Sequence, residues 1–389
     1  MADVCPLEGT EMDRIALRTL NLGIFGAALS CSAAVFAQEA PAAPAADAPA
    51  AAAPAAPPEP VPVAAPAAVE AAPAPAPAAE APPAEPAVAK PKPPPYSLPW
   101  QLRPVVVGNV VRSDTAFAFY KDAAGKESGS TVASMLLASY KVTDSFAPMV
   151  RVGVVSNSPP SSLMAAMKPV DSAVNFLNPV IGATYAIKPA KPLRLAFFLG
   201  VTVPIGGGGG DEAKVENKTA NAMGIRARSA MDNAMFSVND FAVFPGVDFA
   251  YVSSGFTAQV EATVFQLTRV KGDKQPAMGL ANNPDKSKTN LTMGIHVGYF
   301  LAPFLSVGVD FRHQRFLSTP KAVEADEKST NMTPLGLRDT TTFGIGPRFH
   351  MKLSESVWFR PGVSFSMAID KPLEKFEYKI VQLDLPIAF

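Results

Sequence analysis

From Trp100 to Phe389, large apolar residues alternate with small or polar ones in stretches of about ten residues broken by turn signals. The clearest is Leu291-Thr292-Met293-Gly294-Ile295-His296-Val297-Gly298-Tyr299, with odd positions large and apolar and even positions small or polar. A period of two sends successive side chains to opposite faces, so each stretch predicts a strand with one apolar and one polar face. The same reading covers Leu193 to Ile205, Phe241 to Tyr251, Phe256 to Val264, Leu305 to Phe311, Phe343 to Met351, Val357 to Ile369 and Val381 to Phe389. Less regular stretches run from Arg103 to Arg112, Val132 to Val142, Pro148 to Asn157 and Pro179 to Ile187, for about twelve strands in all.

The connections alternate in length. Short ones fall near Thr143-Asp144-Ser145, Pro189-Ala190-Lys191, Ser253-Ser254-Gly255, Ala302-Pro303 and Ser354-Glu355-Ser356. Longer, more polar ones fall near 113 to 130, 158 to 172, 206 to 237, 270 to 288, 318 to 338 and 370 to 376. A soluble sandwich has no reason to lengthen every second connection, whereas a membrane barrel has tight turns on one side and long loops on the other. The expected fold is all-β: an antiparallel up-and-down transmembrane β-barrel of about 12 strands over residues 99–389. Two stretches have awkward parity. Val105, Val106 and Val107 are all apolar, and Tyr378 and Ile380 oppose the parity of Val381 to Phe389, which calls for a bulge near Ile380 or a shorter membrane segment.

The last residue, Phe389, shares a face with Val381, Leu383, Leu385 and Ile387. This resembles the C-terminal recognition strand of bacterial outer-membrane β-barrels. The resemblance implies a Gram-negative outer membrane, its lipid as surroundings, and the barrel-assembly machinery as a partner of that strand. Pro204-Ile205-Gly206, Phe244-Pro245-Gly246-Val247-Asp248 and Gln266-Leu267-Thr268-Arg269-Val270 further resemble a porin-like family described as transporters associated with the MetA-pathway of phenol degradation. That resemblance covers mainly residues 175 to 389. It implies a small hydrophobic or aromatic solute and carries over no specific site residues.

The N-terminal quarter is different. From Met12, Arg14 and Arg18 precede an apolar stretch from Leu22 to Leu29 and small residues ending in Val35-Phe36-Ala37, the pattern of a secretory signal peptide over 1–37. Asp3 and Glu8 are unusual at such a start, so Met12 is a candidate initiator. Cys31 after Ala28-Leu29-Ser30 is a looser alternative, a lipidation site. Nineteen of the 40 prolines fall between Glu39 and Leu98, so 38–98 reads as a disordered Pro/Ala-rich periplasmic linker. Such a linker serves as a tether to a cell-wall or periplasmic partner, or as a tail without one. Cleavage after Ala37 removes Cys5 and Cys31, leaving no thiol for catalysis or metal binding.

Charge then narrows the function. With 34 Lys plus Arg against 34 Asp plus Glu, the chain lacks the cationic surplus of a nucleic-acid binder. The expected inward list includes Lys141, Arg194, Gln259, Arg312 and His350, together with Arg151, Asp248, Glu261, His296, Asp310, Arg348, Arg360 and Asp384. A charge on the lipid face near mid-bilayer costs about 2 to 4 kcal/mol for Arg or Lys, so this segregation supports the membrane reading. The last eight lie about five to seven residues from a short turn or the C-terminus, which predicts a layer roughly 12 to 18 Å above the periplasmic rim. Such a layer forms either an ion-paired belt plugging a narrow barrel or a selectivity constriction. Ala222 to Ala234, in the longest loop, predicts a short helix that folds into the mouth or stays outside.

No enzymatic pattern emerges. The histidines are followed by Val297-Gly298, Gln314-Arg315 and Met351-Lys352, without the serine two residues on that an outer-membrane phospholipase requires. His296, His313 and His350 are isolated, and neither a metal nor a cofactor is expected. The function expected is an outer-membrane channel or facilitator for small solutes, hydrophobic or aromatic ones included. The alternatives are a structural barrel anchoring a tether, with a charge-plugged lumen, and a soluble secreted β-protein.

Overall fold

The computed structural model describes residues 96–389 apart from 123, 166–167, 230, 232, 273–284, 319–338 and 371–375. The expected signal peptide, both cysteines and the linker up to residue 95 lie outside the described residues.

Twelve strands form the wall: β1 (Val110–Lys121), β2 (Ser128–Ser139), β3 (Phe146–Ser158), β4 (Val180–Ala190), β5 (Leu193–Thr202), β6 (Asp240–Ser253), β7 (Phe256–Arg269), β8 (Ser287–Ala302), β9 (Leu305–Phe316), β10 (Asp339–Phe349), β11 (Gly362–Ala368) and β12 (Lys379–Ala388). Each pairs antiparallel with its sequence neighbour, and β12 pairs back onto β1, with Val110 opposite Ala388 and Phe119 opposite Lys379. The sheet is therefore closed and leaves no main-chain edge among these twelve, the condition for a strand structure to cross a bilayer. Short ladders decorate it: Ala173–Phe176 continues beside β3 above β4, and Met351–Lys352 pairs with Trp358–Phe359.

Alternation decides which side chains meet lipid. On β8, Met293, Ile295, Val297 and Tyr299 are exposed while Thr292 and His296 are fully buried. On β5 and β6 the exposed set is Phe197, Leu199, Phe241, Val247, Phe249 and Tyr251. Tyr140, Phe146, Tyr185, Tyr251, Phe256 and Tyr299 gather at the short-turn ends of their strands, while Phe119 and Phe241 lie near the opposite ends. Apolar bands bordered by aromatic rings are what the two membrane interfaces select. Among the described residues three connections are only two residues long, and in one of them, Ser254-Gly255, φ of 51° and 82° matches the twist of the flanking strands.

Two sequence expectations shift. The first strand is Val110–Lys121, not Arg103 to Arg112, so part of the expected loop 113 to 130 is wall. The valine run misleads because Val105 is buried inside the barrel with Ala186, Ala196, Ala250 and Val252. Tyr378 and Ile380 need no bulge, since the β1–β12 register is continuous from Lys379 to Ala388. They point inward and are buried in an apolar cluster with Phe376 and Met223.

Candidate functional site

The barrel interior is occupied by two inserts of the chain itself. The first, residues 96–109, enters from the short-turn side and returns there to begin β1. It makes no ladder bonds, so its main-chain groups must find partners elsewhere. The wall supplies them. Asp310 accepts the amides of Trp100 at 2.9 Å and Gln101 at 2.7 Å, Glu261 accepts that of Arg103 at 2.6 Å, and Thr257 that of Ser97 at 3.0 Å. In return Gln382 donates to the Trp100 carbonyl at 3.2 Å, Arg312 to that of Gln101 at 2.5 Å and Gln259 to that of Arg103 at 2.6 Å.

Small wall residues make room for this segment. A Cβ at Gly294 would lie 2.8 Å from Leu102, and one at Gly298 or Gly362 would run into Ser97 or the Trp100 ring. The side chains of the insert add ties of their own: Tyr96 donates to Gln259 at 2.6 Å, and Gln101 donates to Ser366 on the wall and Ser229 of the long-loop insert, each at 3.1 Å. Arg103 pairs with Glu261 at 3.0 Å and lies 4.2 Å over the Phe198 ring, and Arg348 lies 4.2 Å over the Trp100 ring.

The second insert comes from the long-loop side between β5 and β6. It contains helix α1 (Val215–Ala227) and the single turn α2 (Asn233–Phe236). The helix starts earlier than expected and ends at Ala227, and the loop folds into the mouth. Ala220, Met223, Ala227 and Phe236 bury themselves against Tyr120, Phe198, Phe244, Phe265 and Tyr378. One ion pair fastens it lower down: Arg228 grips Asp114 through two bonds of 2.8 and 2.6 Å, with the Arg228 side chain fully buried.

The eight charged positions expected inside are all on the inner side or at its rim, but few of them pair with one another. Arg348 binds Asp384 at 2.6 Å, and His296 binds Asp310 on the adjacent strand. Arg151 reaches Asp114 at 3.4 Å, and Asp248 accepts from Gln259 at 3.1 Å. Glu261, the direct cross-strand neighbour of Asp248, serves Arg103 and Arg312. Arg360 sits near the short-turn rim, with its guanidinium 5.6 Å from the Trp358 ring. On the last strand Val381, Leu383, Leu385, Ile387 and Phe389 alternate with buried Gln382 and Asp384.

Sequence reasoning missed Arg103, Arg112, Asp114 and Arg228. Arg112 binds Asp384 at 2.7 Å and so sits at the same belt. Arg112 and Asp114 stand two residues apart in Val111-Arg112-Ser113-Asp114, the polar-face spacing of a strand, and this signal was available. Nothing local marks Arg228 as the partner of a residue 114 positions away.

No protein-family model matches the chain, and no curated protein matches it. Several solved structures do. The KdgM porin in complex with disordered oligogalacturonate is 8% identical, covering 72% of this chain and 99% of that one at a TM-score of 0.39. An outer-membrane channel from Pseudomonas putida F1 is 13% identical, with coverage of 74% and 96% and a TM-score of 0.42. The toluene transporter TodX of Pseudomonas putida is 10% identical, with coverage of 72% and 88% and a TM-score of 0.31.

Proposed function

We propose that the protein is an outer-membrane conduit for small solutes, held closed by its own two inserts. The observation that carries this reading is a row of cavities along the inner face of β1. One of about 260 Å³ opens beside the first insert near the short-turn rim, bordered by Val110, Arg112 and Arg360. A smaller one of about 40 Å³ shares Pro104, Arg112 and Leu137 with it and reaches Asp114 and Met231. A third, of about 280 Å³, lies at the long-loop end against Tyr120 and Lys121. Between the second and third stand the Arg228–Asp114 bridge and α1, over the small side chains of Ala116 and Ala118. Because the wall ladder closes without either insert, displacing them would join these spaces without opening the sheet.

In this reading the short-turn rim faces the periplasm, where the Pro/Ala linker continues, and the Val381 to Phe389 strand is presented to the assembly machinery. The belt of Arg151, Asp248, Glu261, His296, Asp310, Arg348, Arg360 and Asp384 then holds the closed state, and its charges meet solute once the first insert leaves. A second reading, a permanently plugged barrel anchoring a tether, draws support from how fully the lumen is filled. Single-channel recording in planar bilayers separates them. Deleting residues 96–107, or replacing Arg228 by Ala, is expected to raise conductance well above that of the intact chain. Absence of current in both variants, each still migrating as a heat-modifiable barrel, would overturn the conduit and leave the tether.

A further inference from the structure

The cavity at the long-loop end of the β1 row differs in chemistry from the two inside. Arg226, in the last turn of α1, is 9% exposed and lines it. Its guanidinium donates to the Met223 sulfur at 3.6 Å and lies beside the Tyr378 hydroxyl. Among the described residues no carboxylate forms an ion pair with it, whereas Arg228 two residues on has Asp114 and Arg103 has Glu261. The acid that lines the cavity, Asp122, is committed to the amides of Lys126 and Glu127 and the hydroxyl of Ser162.

A buried guanidinium without an anion is unfavourable unless a partner arrives from outside. The rest of the cavity says what kind. Its walls include Tyr120, Leu163, Met223, Phe376 and Tyr378, and the Tyr120 and Tyr378 rings stack at 5.0 Å with an interplanar angle of 6°. Its volume of about 280 Å³ is at the small end for ligand sites and suits one ring with a short substituent. A guanidinium fork matches a carboxylate in two parallel hydrogen bonds. A thioether sulfur and aromatic rings favour an aromatic body over an aliphatic one.

We propose that this cavity binds a small aromatic carboxylate, with the carboxylate on Arg226 and the ring against Tyr120, Phe376 and Tyr378. The site opens at the long-loop rim, so the ligand reaches it from outside before either insert moves. The proposal deepens the conduit reading by naming a ligand, and it is tested by binding and not by flux, so each can fail alone.

The test is calorimetric titration of the full chain in detergent micelles with benzoate as the probe, benzyl alcohol as its uncharged counterpart and cyclohexanecarboxylate as its aliphatic one. Saturable benzoate binding is expected, weakened about tenfold or more for benzyl alcohol and in Arg226→Gln, and less in Arg226→Lys, which keeps the charge but not the fork. Cyclohexanecarboxylate should bind more weakly than benzoate. Heat-modifiable migration reports whether each variant has folded, and the ligand series on the unaltered chain stands even if Arg226→Gln does not fold. No saturable benzoate binding, equal affinity for benzoate and benzyl alcohol, or full affinity in a folded Arg226→Gln would overturn the proposal. Benzoate binding without conductance in the opened variants would keep the site and remove the conduit.

Discussion

The two halves of the lumen hold their inserts with a different balance of contacts. Toward the short turns the wall is polar, and it grips the main chain of residues 97–103 through Asp310, Glu261, Arg312, Gln259 and Gln382. Toward the long loops the inner wall carries Phe198, Phe244, Phe265, Leu267 and Ile380, and it grips side chains: Met223, Ala227 and Phe236. Main-chain recognition depends little on which residues the insert carries and strongly on the wall groups that complete its hydrogen bonds. Apolar packing depends on the volume of the insert's own side chains. The lower insert should therefore be more sensitive to loss of its polar wall partners than to trimming of its own apolar side chains, and the upper one the reverse.

The largest effect is expected from Glu261→Gln. The Glu261 side chain is 1% exposed and serves the Arg103 amide, the Arg103 guanidinium and Arg312 at once. Removing its charge takes away the anion that Arg103 and Arg312 share, and breaking a buried pair costs about 3 to 5 kcal/mol. Urea titration of the barrel, read by the heat-modifiable band, should show that loss together with protease access to residues 96–107. An unaltered midpoint would mean that the wall acids do not hold the lower insert.

Phe236→Ala should come next, at about 3 kcal/mol. Phe236 is 3% exposed, and its ring lies so close to α1 that a Cβ at Gly224 would collide with it. The signature that sharpens the comparison is spatial. Proteolysis within 206–239 should accelerate while 96–107 stays protected. If both inserts loosen together, they form one unit and the division of the lumen fails.

The same division explains what could be read from the chain. The polar face was legible wherever polar or charged residues stood at strand spacing, as with Asp310 and Arg312 or Gln259 and Glu261, because a charge facing lipid is costly through the middle of the wall. The partners of those charges were not legible, because the acids bind amides of a segment that carries no charge pattern of its own. Trp100-Gln101-Leu102 and the valines after it look like the start of a strand, and only the closure of β12 onto β1 at Val110 shows them to be inside. The upper half failed differently. Tyr378 and Ile380 looked misplaced because the inner face was expected to be polar throughout, and it is apolar where a helix covers it.

The smallest effect, and the sharpest discriminator, is expected from Trp100→Phe. By size, Trp100 is the largest fully buried side chain of the lower insert, and packing alone would make it the main anchor. Its indole nitrogen has no hydrogen-bond partner among the described residues, so no such bond is lost. Phe keeps the amide on Asp310 and the carbonyl under Gln382, and it keeps a ring beneath Arg348. What weakens is the cation–π contact, worth about 2 kcal/mol when desolvated and kept in part by a Phe ring, along with some ring area. In the same urea titration Trp100→Phe should therefore cost less than half of what Glu261→Gln costs, with residues 96–107 still protected. If it costs as much, the lower insert is held by its largest side chain after all, and the two halves of the lumen obey one rule.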